Sequence, residues 1–99
     1  MSESVTPADI TVVRNEDAGR YEIHVDGELA GFTVIEVGAE VTVLPHTEID
    51  EKFGGRGLGT TLVRLALDDI RARGDRIVPV CPLVKRFIEK NPDYADLVA

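Results

Sequence analysis

The chain has 99 residues, 43% hydrophobic and 29% charged, with 18 Asp plus Glu against 11 Lys plus Arg and a formal charge of −7. That length predicts one domain over residues 1–99 with a modest core. The composition excludes a disordered chain, and no apolar run approaches the roughly 18 residues of a membrane span. The acidic balance argues against a nucleic-acid partner, which needs a basic face, and suits a cationic substrate such as an amine.

In chain order, "ADITVVRNEDAGRYEIHVDGELAGFTVIEV" reads as strands. Tyr21, Ile23 and Val25 then alternate with Glu22 and His24, the period of a half-buried strand. Asp26-Gly27 is a two-residue hairpin signal that returns "ELAGFTVIEV" antiparallel. A fourth strand, "EVTVLPHTEI", places Val41 and Val43 on one face. Pro45 removes a backbone donor, so an interruption or bulge is expected near Pro45-His46.

From Leu58 to Arg73 the period becomes helical. Leu58, Leu62, Val63, Leu65, Ala66, Leu67 and Ile70 form an apolar arc opposite Thr60, Thr61, Arg64, Asp68 and Arg71, and Gly74 supplies the stop. "RIVPV" is a short buried strand, and "PLVKRFIEK" a second helix with Pro82 in its first turn. "NPDYADLV" is a short terminal helical piece. The order β-β-β-β-α-β-α predicts an α+β fold: a mostly antiparallel sheet with two main helices.

The glycine-rich "FGGRGLGTT" lies between a strand and the first helix. Helix starts expose unpaired N–H groups and partial positive charge, and glycine lets a backbone approach an anion closely. Arg56 and Lys52 add local positive charge. The loop therefore reads as a phosphate cradle. It lacks the lysine of a nucleoside-triphosphate loop and the spacing of a dinucleotide fingerprint.

At this point "FGGRGLGTTLV" resembles the acetyl-CoA loop of the GNAT superfamily of N-acetyltransferases, with Gly57-Leu58-Gly59 matching its second half. Gly54 stands where Arg or Gln is usual. The wider pattern, "HTEIDEKFGGRGLGTTLV" followed by "IVPVCPLVKRFIEKNPDY", is similar to the small YjdJ-type N-acetyltransferase domain. The resemblance implies a compact GNAT-like fold with splayed fourth and fifth strands. It implies acetyl-CoA or coenzyme A as cosubstrate and an amine as acceptor. The binding residues it implies are Glu48, Ile49 and Asp50 beside the pantetheine arm, and Gly54, Gly55, Arg56, Gly57, Leu58, Gly59 and Thr60 at the pyrophosphate. A non-catalytic coenzyme A-binding module is the alternative.

The family often carries Tyr and Asn on and before its last helix; Ile88 and Cys81 occupy those positions here, and Tyr94 is a displaced candidate for the Tyr. Catalytic candidates are His46 and Glu48, two apart and so on one side of a strand, and Cys81. An alkylamine with a pKa of about 10.4 must lose a proton before attack, and a His–Glu pair can accept it. Cys81 precedes a helix start, which favours thiolate; a small buried hydrophobe is its plain reading. His24, on the polar face of a hairpin, reads as inert. One Cys and two His are too few for a closed metal site. The lone cysteine and the N-terminus, which lacks a secretory pattern, point to the cytoplasm.

Overall fold

The computed structural model describes residues 9–99. Strand β1 (Ile10–Asn15) pairs antiparallel with β2 (Arg20–Val25), and β2 with β3 (Glu28–Val34). Asp26 and Gly27 both take positive φ, 50° and 83°, the geometry that matches a tight hairpin to the twist of its strands. Tyr21, Ile23 and Val25 are buried as their spacing predicts.

The third and fourth strands are each broken once, and the breaks face one another. Ile35 separates β3 from β4 (Glu36–Val37), and Pro45-His46 separates β5 (Val41–Leu44) from β6 (Thr47–Ile49). Across the gap Val34 N–H donates to the His46 carbonyl at 2.8 Å. The result is two sheets, β1-β2-β3-β6 and β4-β5-β7, where β7 (Arg76–Pro79) runs parallel to β5. The expected interruption at Pro45 thus does more than kink a strand, since it ends one sheet and starts another. Val41 and Val43 do share a face, but the buried face of β5 belongs to Thr42 and Leu44.

Helix α1 (Leu58–Ala72) buries Leu58, Leu62, Val63, Ala66, Leu67 and Ile70 against Tyr21, Ile23 and Ile77. Leu65, counted in the apolar arc, is 40% exposed because it lies about 100° from the centre of the stripe near Ala66. Gly74, at φ 82°, ends the helix, and Asp75 N–H returns to the Ile70 carbonyl at 3.2 Å. Helix α2 (Pro82–Lys90) follows β7, and a 3₁₀ segment, Pro92–Leu97, closes against α1 through Arg71–Asp96 and Tyr94–Asp68. The fold is α+β with a mostly antiparallel sheet and two main helices. No helix among the described residues is long and apolar enough to cross a membrane.

The two strands that matter for the site separate at Leu44. Val80 and Cys81 N–H both donate to its carbonyl, at 3.2 and 2.9 Å, and beyond that fork β6 and β7 diverge. The mouth of α1 and the start of α2 frame the opening.

Candidate functional site

Asp50 ends β6 and caps a 3₁₀ turn, Glu51–Phe53, by accepting from Lys52 N–H at 3.0 Å. Gly54 N–H is spent on the Glu51 carbonyl at 3.0 Å. Gly55 and Gly57 then adopt φ of 78° and 72°, a left-handed backbone that costs other residues about 1–2 kcal/mol. Gly57 is the N-cap of α1 and supplies no side chain to its N–H groups. Among the described residues, the backbone N–H groups of Gly55, Arg56, Gly57, Leu58, Gly59 and Thr60 donate to no protein acceptor; the helical ladder begins with Thr61 N–H on the Gly57 carbonyl. Six unspent donors at the positive end of a 15-residue helix are a preformed anion cradle.

The cradle opens on a cleft of about 350 Å³. Ile49, Phe53, Gly54, Gly55, Gly57, Leu58, Gly59 and Thr60 line one side. Leu83, Arg86, Phe87, Lys90 and Asn91 of α2 and its C-cap line the other. A Cβ on Gly59 would stand 3.2 Å from Leu83 Cδ1 and 3.7 Å from Ile49 Cγ1, so the absent side chain is what keeps the cleft narrow and open. Arg56 lies outside the lining, its guanidinium 5.4 Å from the Phe53 ring centroid. Glu48 and Asp50 border a separate hollow of about 170 Å³ with Leu29 and Phe32.

The wall formed by α2 was not legible in the sequence. Arg86 and Lys90 stand four apart and share a helix face, but only the packing of α2 beside α1 turns that face toward the glycines.

The register of β6 sorts the strand candidates. Asp50 N–H bonds Ala30 and the His46 carbonyl bonds Val34, so the backbone of alternate residues, Glu48 among them, turns toward β3. The main chain of Thr47 and Ile49 is left facing the gap. Side chains alternate as well. His46 and Glu48 lie on the exposed face near Phe32, Nε2 to Oε2 3.8 Å apart. Thr47 points inward, where its Oγ1 lies 2.8 Å from Thr33 Oγ1 and accepts from the Cys81 thiol at 3.4 Å. His46 and Glu48 therefore come together, and Cys81 stands apart from them across β6.

Cys81 is buried, the N-cap of α2. Burial pushes its thiol pKa up, but the hydrogen bond it shares with the Thr47 hydroxyl and those from the Val84, Leu83 and Thr47 amides outweigh it, leaving the thiol below its ordinary value. Tyr94 is committed elsewhere: its hydroxyl donates to Asp68 at 2.7 Å and its ring meets Phe87 edge-on at 5.1 Å. Ile88 packs against the core. His24 sits 3.2 Å from Glu22 on the far strand pair, away from the cleft. No cluster of metal-ligating side chains forms among the described residues.

A family model described as GCN5-related N-acetyl-transferase matches residues 20–97. The chain belongs to that family. Solved structures share its fold: a GCN5-like putative N-acetyltransferase from Staphylococcus aureus superposes with a TM-score of 0.67 at 20% identity, covering 90% of this chain and 87% of that one. A ribosomal-protein-alanine N-acetyltransferase from Brucella melitensis biovar Abortus 2308 gives 0.60 at 16% identity, covering 95% and 92%. Protein NATD1 from Bos taurus is 32% identical over 56 residues, 57% of this chain and 50% of that protein, and the Homo sapiens form is 29% identical over the same length. The chain spans about half the length of these curated relatives.

Proposed function

We propose that this GCN5-related chain is a small, YjdJ-type N-acetyltransferase, a single cytoplasmic domain over residues 1–99 that transfers acetyl from acetyl-CoA to an amine. The observation that carries the reading is the run of unspent amides from Gly55 to Thr60 at the mouth of α1, beside a cleft that Gly59 holds open. Those amides suit the diphosphate of the cosubstrate. The edge of β6 that faces the gap, free at Ile49, offers a pantetheine arm a strand-like partner. Acetyl-CoA supplies an activated acyl group, and the protein's part is to hold it and to manage protons.

His46 and Glu48 are assigned to the ammonium proton; their approach on one exposed face supports this, and such a base contributes about 10²- to 10⁴-fold. Cys81 is assigned to the reacting end of the gap, on the strength of its place between β6 and the first amides of α2. A second reading, a module that binds coenzyme A without turnover, is favoured by Ile88 in the usual tyrosine position and by the commitment of Tyr94 to Asp68.

Thermal-shift titration with coenzyme A and acetyl-CoA tests both. Saturation at a hundred times Kd adds about 2.7 kcal/mol, a rise of roughly ten degrees or more for a chain this size. The expected result is stabilisation by both, with amine-dependent release of free thiol from acetyl-CoA that His46→Ala slows on the order of 10²-fold. Stabilisation without thiol release selects the binding module. No stabilisation by either ligand removes both readings.

A further inference from the structure

Arg86 and Lys90 make a cation pair on α2, with Lys90 in its last turn. Arg14, Arg20, Lys52, Arg71 and Arg73 each meet a carboxylate within 4.0 Å, as expected in a chain of charge −7. Arg86 and Lys90 form no ion pair among the described residues, yet both line the cleft that the glycine amides open on. Two uncompensated cations four residues apart, across a narrow cleft from an anion cradle, describe a ligand with two separate anionic groups. Asn91 occupies two carbonyls of the last turn of α2: Nδ2 donates to the Phe87 carbonyl at 2.9 Å and N–H to that of Ile88 at 3.2 Å.

We propose that Arg86 and Lys90 bind the ribose monophosphate of coenzyme A, so that the cleft distinguishes coenzyme A from its dephospho form. This rests on the acetyl-CoA reading above, in which the amides take the diphosphate. A phosphate monoester is largely a dianion at pH 7, with a second pKa of about 6, and attracts a guanidinium–ammonium pair more strongly than a carboxylate does. The two cations are exposed and screened by salt, which limits the gain to roughly tenfold in affinity at low ionic strength and less as salt rises.

The experiment is calorimetric titration of the whole chain with coenzyme A and with dephospho-coenzyme A. The unsubstituted protein is expected to prefer coenzyme A about tenfold, a preference that shrinks with added salt. Arg86→Gln combined with Lys90→Gln is expected to abolish the preference while leaving affinity for the dephospho form nearly unchanged. Lys85→Gln, on the same helix but off the cleft lining, is expected to retain it. Equal affinity for the two ligands in the unsubstituted protein overturns the assignment, and so does a double variant that weakens both ligands alike. Absence of binding by either ligand overturns the cosubstrate reading itself, a different result from binding without discrimination. All three side chains are exposed, and far-ultraviolet circular dichroism confirms that the variants fold.

Discussion

Cys81 feels two opposed influences on one sulfur. Burial disfavours thiolate, whereas the Thr47 hydroxyl and the amides of Val84, Leu83 and Thr47 favour it, and the donors prevail. The hydroxyls can serve either protonation state. With a thiol, Cys81 donates to Thr47 Oγ1 and Thr47 can donate to Thr33 Oγ1, 2.8 Å behind it, whose own proton goes to the His46 carbonyl; with a thiolate, Thr47 turns to donate to sulfur. Removing the nearest hydroxyl should therefore raise the thiol pKa. A hydrogen bond to a charged group is worth about 1.5 kcal/mol or more, so Thr47→Val is expected to move the titration up by roughly one pH unit. Cys81 is the only cysteine, so thiolate absorbance, corrected with Cys81→Ser, reports on it alone. An unchanged midpoint in Thr47→Val would show that the amides alone set it. The sequence singled out Cys81 from its place before a helix. It gave no sign of Thr47, because that contact depends on the β6 register across 34 residues.

Among the elements, the glycine loop and α1 were readable because their causes are local. A positive-φ glycine before an amphipathic run and another after it are visible as letters. The broken strands were only partly readable. Pro45 announced its own interruption, but the matching break at Ile35 has no proline or glycine, and it lies opposite the interruption at Pro45-His46. The loop's conformational claim can be tested separately from its chemistry. A Cβ on Gly57 meets nothing within 4 Å, so substitution there acts through φ alone. Gly57→Ala is expected to lose about 1 kcal/mol in denaturant titration and to bind coenzyme A more weakly as the N-terminal amides tilt. Gly57→Asn, which tolerates the left-handed region, should recover much of both losses. A Gly57→Ala variant with full affinity would mean the amide run does not depend on that backbone angle.

Across the whole molecule, the N-terminal hairpin is tied to α1 by a polar chain that no short motif announces. The buried Tyr21 hydroxyl donates to Asp69 Oδ2 at 2.6 Å and accepts from Arg14 at 2.9 Å, while Arg73 donates to the same Asp69 oxygen at 2.8 Å. Tyr21 and Asp69 are 48 residues apart, which is why the sequence showed Tyr21 only as a core residue and Asp69 not at all. Burial, reinforced by the bond to Asp69 and opposed by Arg14, pushes the Tyr21 pKa up to about 12. For Asp69, burial pulls upward, but the bonds from Tyr21 and Arg73 hold its carboxyl below the usual value. The signs then follow from linkage. Asp69 stabilises the fold above the carboxylate range and loses that contribution as pH falls through it. Tyr21 stabilises fully below pH 10; between about 10 and 12 the unfolded chain ionises while the folded one does not, and the contribution is lost. Tyr21→Phe is expected to cost about 1.5–3 kcal/mol at pH 7, since a buried hydrogen bond to a carboxylate disappears. That deficit should close by on the order of 2 kcal/mol between pH 10 and 12, because only the unsubstituted protein has the tyrosine to lose. Lysine and arginine titration is common to both proteins and cancels in the difference. Urea unfolding of the pair at pH 7, 10 and 12 measures it, and a deficit constant across that range would break the proposed link between hairpin and helix.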